Sequence, residues 1–183
     1  MINKNPKTEN GKPITSYFLI VSRLVPYKRI DIAVEAFNEL GWPLKIIGTG
    51  SKESKLKRMA NKNIEFLGNL TDMKLVSYYK NCRALIFPGV EDFGLTILEA
   101  QSFGKPVIAF RAGGALETII EGKSGEFFFP QTKDALIKKV KEFNEGKYKP
   151  EDCITNAGQF AFMEFKQKLI SLINSKVKKF SSR

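Results

Sequence analysis

Two glutamates, Glu91 and Glu99, lie in the stretch PGVEDFGLTILEAQSFGKP, residues 88–106, with seven residues between them. The first precedes a Phe-Gly pair in a loop, and the second falls about five residues into the helical pattern that follows. An ionised carboxylate only accepts hydrogen bonds, so it suits the paired hydroxyl donors of a sugar. We therefore expect Glu91 to contact sugar hydroxyls and Glu99 to reach another part of the same ligand, such as a ribose diol.

The start of this helical pattern could bind an anion or hydroxyl groups. Gly94 has no Cβ, so a ligand can approach the backbone closely there. The first amides of a helix have no intrahelical acceptor and favour negative charge nearby. The four amides concerned belong to Phe93, Gly94, Leu95 and Thr96.

Two positive charges, Arg23 and Lys28, follow the first predicted strand in the sequence SRLVPYK. This turn lacks the G-x-G-x-x-G pattern of dinucleotide sites, which disfavours NAD or FAD. Arginine and lysine are common phosphate ligands. A ligand with a diphosphate in the middle, a ribose on one side and a hexose on the other would use both cations and both glutamates. The charged residues therefore predict a nucleotide sugar.

Short apolar, β-branched runs alternate with helical patterns along the chain. The predicted strands are Tyr17–Val21, Leu44–Gly48, Ile64–Leu67, Ala84–Phe87, Pro106–Phe110 and Gly125–Phe129. The predicted helices are Arg29–Leu40, Ser51–Ala60, Thr71–Lys80, Gly94–Phe103, Gly114–Ile120, Lys133–Phe143 and Asn156–Val177. Strands that are apolar on both faces and joined by crossover helices are typical of a parallel sheet.

We therefore expect an α/β fold, a Rossmann-like, doubly wound parallel sheet of six strands with helices on both faces. In such sheets ligands bind beyond the carboxyl ends of the strands, where the residues above are predicted to lie. Residues 1–16 are predicted to be a lead-in or linker, and residues 17–150 the nucleotide-sugar-binding domain. Residues 151–183 are predicted to contain a C-terminal amphipathic helix, and Asn144–Asp152 a joint before it.

The apolar side chains of that last helix recur at helical spacing, with lysines elsewhere. We expect this face to pack on the domain or to cross to another domain, and contact with anionic lipid is a further alternative. The residues concerned are Phe162, Phe165, Leu169, Leu172, Ile173, Val177 and Phe180. The run Phe127–Phe129 is predicted to be a buried strand, and Gly48 and Gly50 to form a tight turn.

Composition limits the partners and the chemistry. The 183 residues carry a net charge of +11, which favours anionic partners, although no nucleic-acid recognition motif is present. The chain has no histidine, and its two cysteines have no metal or redox spacing. We see no signal peptide or membrane span, and we expect a cytoplasmic protein, peripheral contact with the inner membrane face being an alternative.

Two motifs together resemble a known family. V-S-R-L-x-x-x-K after the first strand and E-D-F-G-L-T-I-L-E-A after the fourth are similar to the C-terminal, donor-binding domain of retaining GT-B glycosyltransferases of family 4. Within that family the chain looks most like mannosyltransferases of bacterial and archaeal polysaccharide and lipopolysaccharide synthesis. The resemblance runs from about Tyr17 to Ile120, and more loosely through Phe129 to the terminal helix.

The resemblance implies transfer of a hexose to a polysaccharide or lipid-linked acceptor, with GDP-mannose as donor and a UDP-sugar as the alternative. It implies catalytic roles for Arg23 and Lys28 on the diphosphate and for Glu91 on the transferred sugar. Glu99 would bind the ribose, and the backbone near Leu70 the base. Neither a metal nor a cofactor other than the substrate is implied, and the sequence contains no D-x-D stretch.

The chain departs from the family in one respect. Enzymes of the family have two Rossmann-like domains, and the N-terminal domain contains the acceptor site and an important histidine. Only one such domain is predicted here, and histidine is absent from the sequence. We therefore expect half of an enzyme, with the missing N-terminal GT-B domain as its partner. A non-catalytic nucleotide-sugar-binding subunit and half of a sugar-nucleotide epimerase remain alternatives.

Overall fold

The computed structural model describes residues 17–181, and at positions 168, 175, 176 and 178–181 of the last helix it describes no side chain. The lead-in predicted for residues 1–16 and the side chain of Phe180 therefore lie outside the described residues. The strands are β1 Phe18–Val21, β2 Leu44–Ile47, β3 Ile64–Gly68, β4 Leu85–Phe87, β5 Val107–Phe110 and β6 Gly125–Phe128. The helices are α1 Ile30–Leu40, α2 Glu53–Met59, α3 Asp72–Asn81, α4 Leu95–Ser102, α5 Ala115–Thr118, α6 Lys133–Glu142, α7 Pro150–Gly158 and α8 Phe162–Ser181.

The six strands form one sheet in the order β3-β2-β1-β4-β5-β6, and every neighbouring pair is parallel. β1 lies between β2 and β4. The chain adds β2 and β3 on one side of β1 and then crosses to the other side, where it adds β4, β5 and β6. This reversal opens a crevice at the carboxyl ends of β1 and β4, where doubly wound sheets bind ligands. The predicted fold class is confirmed.

The side chains of β1 show why both faces of the sheet are covered. Successive strand residues point to opposite faces. Phe18 and Ile20 join the core under α1, α2 and α6, whereas Leu19 joins the core under α3, α4 and α5. Complete burial of one such side chain stabilises the fold by about 1.5–3 kcal/mol, so neither set of helices can be lost without a large penalty.

The prediction of a single last helix over Asn156–Val177 was wrong. The structure has two helices, α7 and α8, and α7 already begins within the predicted joint, at Pro150. Proline favours the first helical position because its φ is already helical and its missing N–H would have no partner there. α7 is fixed to α4 by Asn156, whose Nδ2 donates to Gln101 Oε1 at 2.6 Å and to the Thr118 carbonyl at 2.9 Å.

The apolar stripe predicted on the last helix is exposed on α8 wherever its side chains are described. Phe162 is 73% exposed and Leu169 is 42% exposed. Packing of this stripe on the sheet domain is therefore not observed, and docking to another domain stays a prediction. Among residues 17–181, no helix combines the length and the apolar character needed to span a bilayer.

The predicted burial of Phe127–Phe129 holds for two of the three residues. Phe127 and Phe128 are buried on opposite faces of β6, but Phe129 is 71% exposed. β6 ends at Phe128, so Phe129 follows the strand and belongs to neither core. Its ring stacks on that of Phe110. The prediction was therefore wrong for Phe129.

Both cysteines are buried free thiols. Burial raises the pKa of the Cys82 thiol to about 12 and that of the Cys153 thiol to about 11, because an apolar environment disfavours the thiolate. Neither thiol therefore ionises near neutral pH, and both serve as core packing.

Candidate donor groove

A groove of about 510 Å³ opens at the carboxyl edge of the sheet, on the side of β1 that faces β2 and β3. The loops after these three strands form it together with α3 and the first turn of α4. Arg23, Leu70 and Thr96 from the predicted site line this groove. The complete lining consists of Val21, Ser22, Arg23, Ile47, Gly48, Thr49, Asn69, Leu70, Leu75 and Thr96.

Lys28 and Glu91 lie next to the groove and form an ion pair with one another. They line a small hollow that shares Val21 and Ser22 with the groove. Lys28 is only 9% exposed, and a charge so deeply buried requires a partner. The sequence assigned Lys28 to a phosphate and Glu91 to a sugar, but without ligand each neutralises the other. An incoming phosphate must therefore compete with Glu91 for Lys28.

Arg23 differs from Lys28 in that its side chain is exposed. Its guanidinium forms no ion pair or hydrogen bond within the part of the chain that the structure describes. The two predicted phosphate ligands are thus in different states, because one cation is already paired and the other is available to a ligand.

The start of α4 provides unpaired backbone donors beside the groove. Gly94 has φ 81°, a left-handed conformation that favours glycine, and it caps the helix. The first amide bonded within the helix is that of Ile97, which donates to the Gly94 carbonyl at 2.9 Å. The amides of Leu95 and Thr96 precede it and have no acceptor in the helix. Thr96 Oγ1 is also buried without a hydrogen-bond partner among the described residues.

Neither Phe93 nor Leu95 lines the groove, so only their backbone amides remain candidates for the site. The Phe93 ring packs edge-to-face on Phe160, with 5.8 Å between ring centroids. This contact joins the loop before α4 to the segment between α7 and α8.

Glu99 lies one turn beyond Thr96 on the same side of α4. Its Oε2 accepts a hydrogen bond from the Tyr79 hydroxyl at 2.6 Å. Tyr79 is 2% exposed and stacks on Phe103, so its hydroxyl is held in place by packing. Burial, together with this bond to Glu99, raises the pKa of Tyr79 far above its usual range.

Tyr79 was not predicted to be a site residue from the sequence. The pattern placed it on α3, and its helical spacing is typical of a core residue. No signal in the sequence connects position 79 with position 99, because the contact depends on how α3 and α4 pack. In the structure the hydroxyl fixes one oxygen of the carboxylate predicted to bind ribose.

The loop after β5 fixes the position of Glu91. The Gly114 amide donates to the Glu91 carbonyl at 2.7 Å, and Thr118 Oγ1 donates to the Gly114 carbonyl at 2.9 Å. A Cβ on Gly114 would overlap the carbonyl oxygen of Asp92 and lie 2.5 Å from Phe93 Cα. Glycine at this position is therefore required for the loops after β4 and β5 to meet.

Close backbone packing also explains Gly48 and Gly50, which were predicted to be structural. A Cβ at Gly48 would overlap the Ser22 carbonyl, and one at Gly50 would lie 2.5 Å from the Leu24 carbonyl oxygen. These contacts bring the loop after β2 against the loop after β1. Within residues 17–181, no group of three or more histidine, cysteine or acidic side chains is arranged to hold a metal ion.

The family match and the similar proteins described below are all glycosyltransferases. Residues 2–160 match the family described as glycosyl transferases group 1. The chain is 30% identical over 135 residues to the O-antigen chain mannosyltransferase C of Escherichia coli, which covers 69% of this chain and 36% of that protein. It is 31% identical over 138 residues to the GDP-mannose-dependent alpha-(1-6)-phosphatidylinositol monomannoside mannosyltransferase of Mycolicibacterium smegmatis. This match covers 66% of this chain and 36% of that protein.

A solved structure shows the same fold. The lipopolysaccharide outer core galactosyltransferase WaaB, in its apo form, superposes with a TM-score of 0.78 at 26% identity. The match covers 93% of this chain and 52% of WaaB. The chain thus spans about half of this structure and little more than a third of the two curated relatives.

Gly114→Ala is expected to lower the free energy of unfolding by about 1–3 kcal/mol, because the added methyl group has to displace the loop before α4. Urea denaturation measures the change. Gly158→Ala is the matched control: no atom lies within 4 Å of a Cβ there. This variant is expected to be neutral or stabilised by up to about 1 kcal/mol. Equal stability of the two variants would show that the loop does not depend on the close approach at Gly114.

Proposed function

Because this chain belongs to the glycosyl transferases group 1 family, we propose that its groove binds the nucleotide-sugar donor of a retaining hexosyltransferase. We propose GDP-mannose as the donor and a polysaccharide or lipid-linked molecule as the acceptor. Two relatives support mannose, since one is named an O-antigen chain mannosyltransferase and the other is named GDP-mannose-dependent. Family membership also supports a transferase over an epimerase.

One observation in particular supports donor binding. Arg23, whose guanidinium is unpaired among the described residues, and Thr96, whose amide has no acceptor in the helix, line the same groove at the carboxyl edge of the sheet. Cations and helix N-termini are the groups that bind phosphate oxygens in proteins. The groove volume of about 510 Å³ lies within the range of small-molecule sites.

We propose the following position for the donor on these groups. The diphosphate lies between Arg23 and the amides of Leu95 and Thr96, and the ribose hydroxyls bind Glu99. The base extends toward Leu70, which also lines the groove. The hexose then lies toward Glu91, next to the groove.

The proposed chemistry breaks the bond between the anomeric carbon and the diphosphate. The acceptor hydroxyl oxygen bonds to the same face of that carbon, and its proton passes to the leaving diphosphate oxygen. Negative charge develops on the leaving diphosphate while the sugar becomes oxocarbenium-like. Arg23 and Lys28 stabilise the first charge, and preorganised groups of this kind are effective because they need not reorient. Glu91 positions the sugar, and we assign it no role as a nucleophile.

We place the acceptor site on a second domain. The residues matched to the two mannosyltransferase relatives cover only 36% of the length of each relative, which leaves room in those proteins for a further domain. The exposed apolar stripe of α8 supports docking to such a domain, although contact with anionic lipid remains an alternative for the same side chains.

The chain is expected to bind GDP with a dissociation constant between about 1 µM and 1 mM, as measured by titration calorimetry. UDP and ADP titrated in parallel test the preference for the base, and GDP-mannose tests whether the hexose adds to binding. Binding is expected to survive EDTA, because Arg23 and Lys28 supply the positive charge. Arg23→Ala is expected to weaken GDP binding by about 1.5–3 kcal/mol. Absence of saturable binding by every nucleotide tested would refute the proposed function.

Glu91→Gln is expected to affect GDP and GDP-mannose in opposite directions. Without the carboxylate charge, Lys28 becomes available to the phosphate, so GDP binding is expected to tighten by up to about tenfold. GDP-mannose binding is expected to weaken, because the hexose no longer meets a charged acceptor. Asp92→Asn is the matched control, since it removes the same charge from a neighbouring exposed residue with no ion pair among those described. Equal changes for GDP and GDP-mannose in Glu91→Gln would contradict the assignment of Glu91 to the hexose.

Tyr79→Phe is expected to weaken GDP binding by about threefold to tenfold, because Glu99 loses the bond that holds it toward the ribose. In the double variant with Glu99→Ala, loss of the hydroxyl is expected to add nothing further. Tyr78→Phe is the matched control on the same helix: the hydrogen bond described at Tyr78 uses its backbone carbonyl. Additive losses in the double variant would show that Tyr79 acts independently of Glu99.

A further inference from the structure

A second cavity, of about 370 Å³, lies on the opposite side of the loop that follows β1. It opens between the short 3-10 helix Pro26–Lys28, the start of α1, and α2. None of its lining residues lines the donor groove. The lining consists of Val25, Pro26, Arg29, Ile30, Asp31, Lys52, Lys55, Leu56 and Met59.

The inner part of this cavity is apolar. Ile30 is 2% exposed and Leu56 is 3% exposed, and Met59 is partly buried against the same core. Cavities that bind small molecules are usually lined mainly by apolar side chains with a few charged groups, and they have volumes similar to this one.

The rim of the cavity has an excess of positive charge. Its one acidic residue, Asp31, is paired with Arg29, with 3.2 Å between Oδ2 and Nη2. Lys52 and Lys55 are both exposed, and neither forms an ion pair within the described part of the chain. These two lysines are therefore the charges available to a ligand.

Arg29 also has an unusual backbone. Its φ of 51° is left-handed, which is uncommon for a residue other than glycine. Its side chain bonds to Asp31 and, through Nη1 at 3.4 Å, to Gln131 Oε1. Conformations of this kind persist only where the surroundings hold them, and they are frequent at ligand sites.

We infer that this cavity binds an anionic amphiphile, a molecule with a phosphate head group on an apolar body. The head group pairs with Lys52 and Lys55 at the rim, and the apolar body packs on Val25, Pro26 and Met59, the apolar lining side chains that are not fully buried. Each part of the ligand thus meets a part of the cavity that it complements. The inference does not depend on what occupies the donor groove.

Octyl phosphate, added to the whole chain below its critical micelle concentration, tests this inference. Amide NMR shifts are expected to change saturably at residues 29–31 and 52–59. Inorganic phosphate and octyl glucoside, which supply the head group or the apolar body alone, are each expected to bind at least about tenfold more weakly. Equally tight binding of either molecule would overturn the proposed ligand class.

Charge reversal locates the head group. Lys52→Glu with Lys55→Glu is expected to weaken octyl phosphate binding at least about tenfold. Lys62→Glu with Lys74→Glu is the matched control, because it changes net charge equally at exposed positions that line neither cavity. Arg23→Ala is expected to leave the binding unchanged. Equal losses in the two charge-reversal pairs, saturation at the groove residues instead, or no saturable shift would each overturn the inference.

Discussion

The loops at the carboxyl edge of the sheet are held together by the pairing of Lys28 with Glu91. A cation that is only 9% exposed is costly to bury unless an opposite charge compensates it, so the loops after β1 and β4 have to stay together. The carbonyl of Glu91 also accepts the Gly114 amide, which joins the loop after β5 to the same residue. Three loops from three strands thus meet at Glu91, and the groove beside them has a fixed wall.

This arrangement divides the charged groups into two classes. Lys28 and Glu91 satisfy each other before any ligand arrives, whereas Arg23 and the first amides of α4 are unsatisfied. A phosphate can therefore be attracted by the unpaired groups first and engage Lys28 only by exchange with Glu91. The ion pair supports the fold and is at the same time part of the proposed chemistry, so its two roles have to be separated by substitutions that keep the side-chain shape.

The sheet and the position of the site could be predicted from the sequence because both follow from local patterns. Apolar runs such as β1 predict strands buried on both faces, and parallel strands bring their carboxyl ends to one edge. Arg23, Leu70 and Thr96 were therefore expected near one another, and they line one groove. Their proposed contacts with a donor remain predictions.

Contacts between distant helices and loops could not be predicted in this way. The bond from Tyr79 to Glu99 depends on the packing of α3 against α4, and the pairing of Lys28 with Glu91 depends on the separation of two loops. The break between α7 and α8 was missed because the apolar spacing continues across it. The exposure of Phe129 depends on where β6 ends, which the run of three phenylalanines does not reveal.

The burial of the two thiols has a consequence for proton exchange with the solvent. Histidine and cysteine are the side chains that usually change charge near neutral pH, but this sequence has no histidine, and burial raises the pKa of Cys82 to about 12 and that of Cys153 to about 11. Neither residue type can therefore buffer or sense pH in this range. The terminal phosphate of bound GDP, with a second pKa of about 6, would then titrate near neutrality together with the amino terminus of the chain.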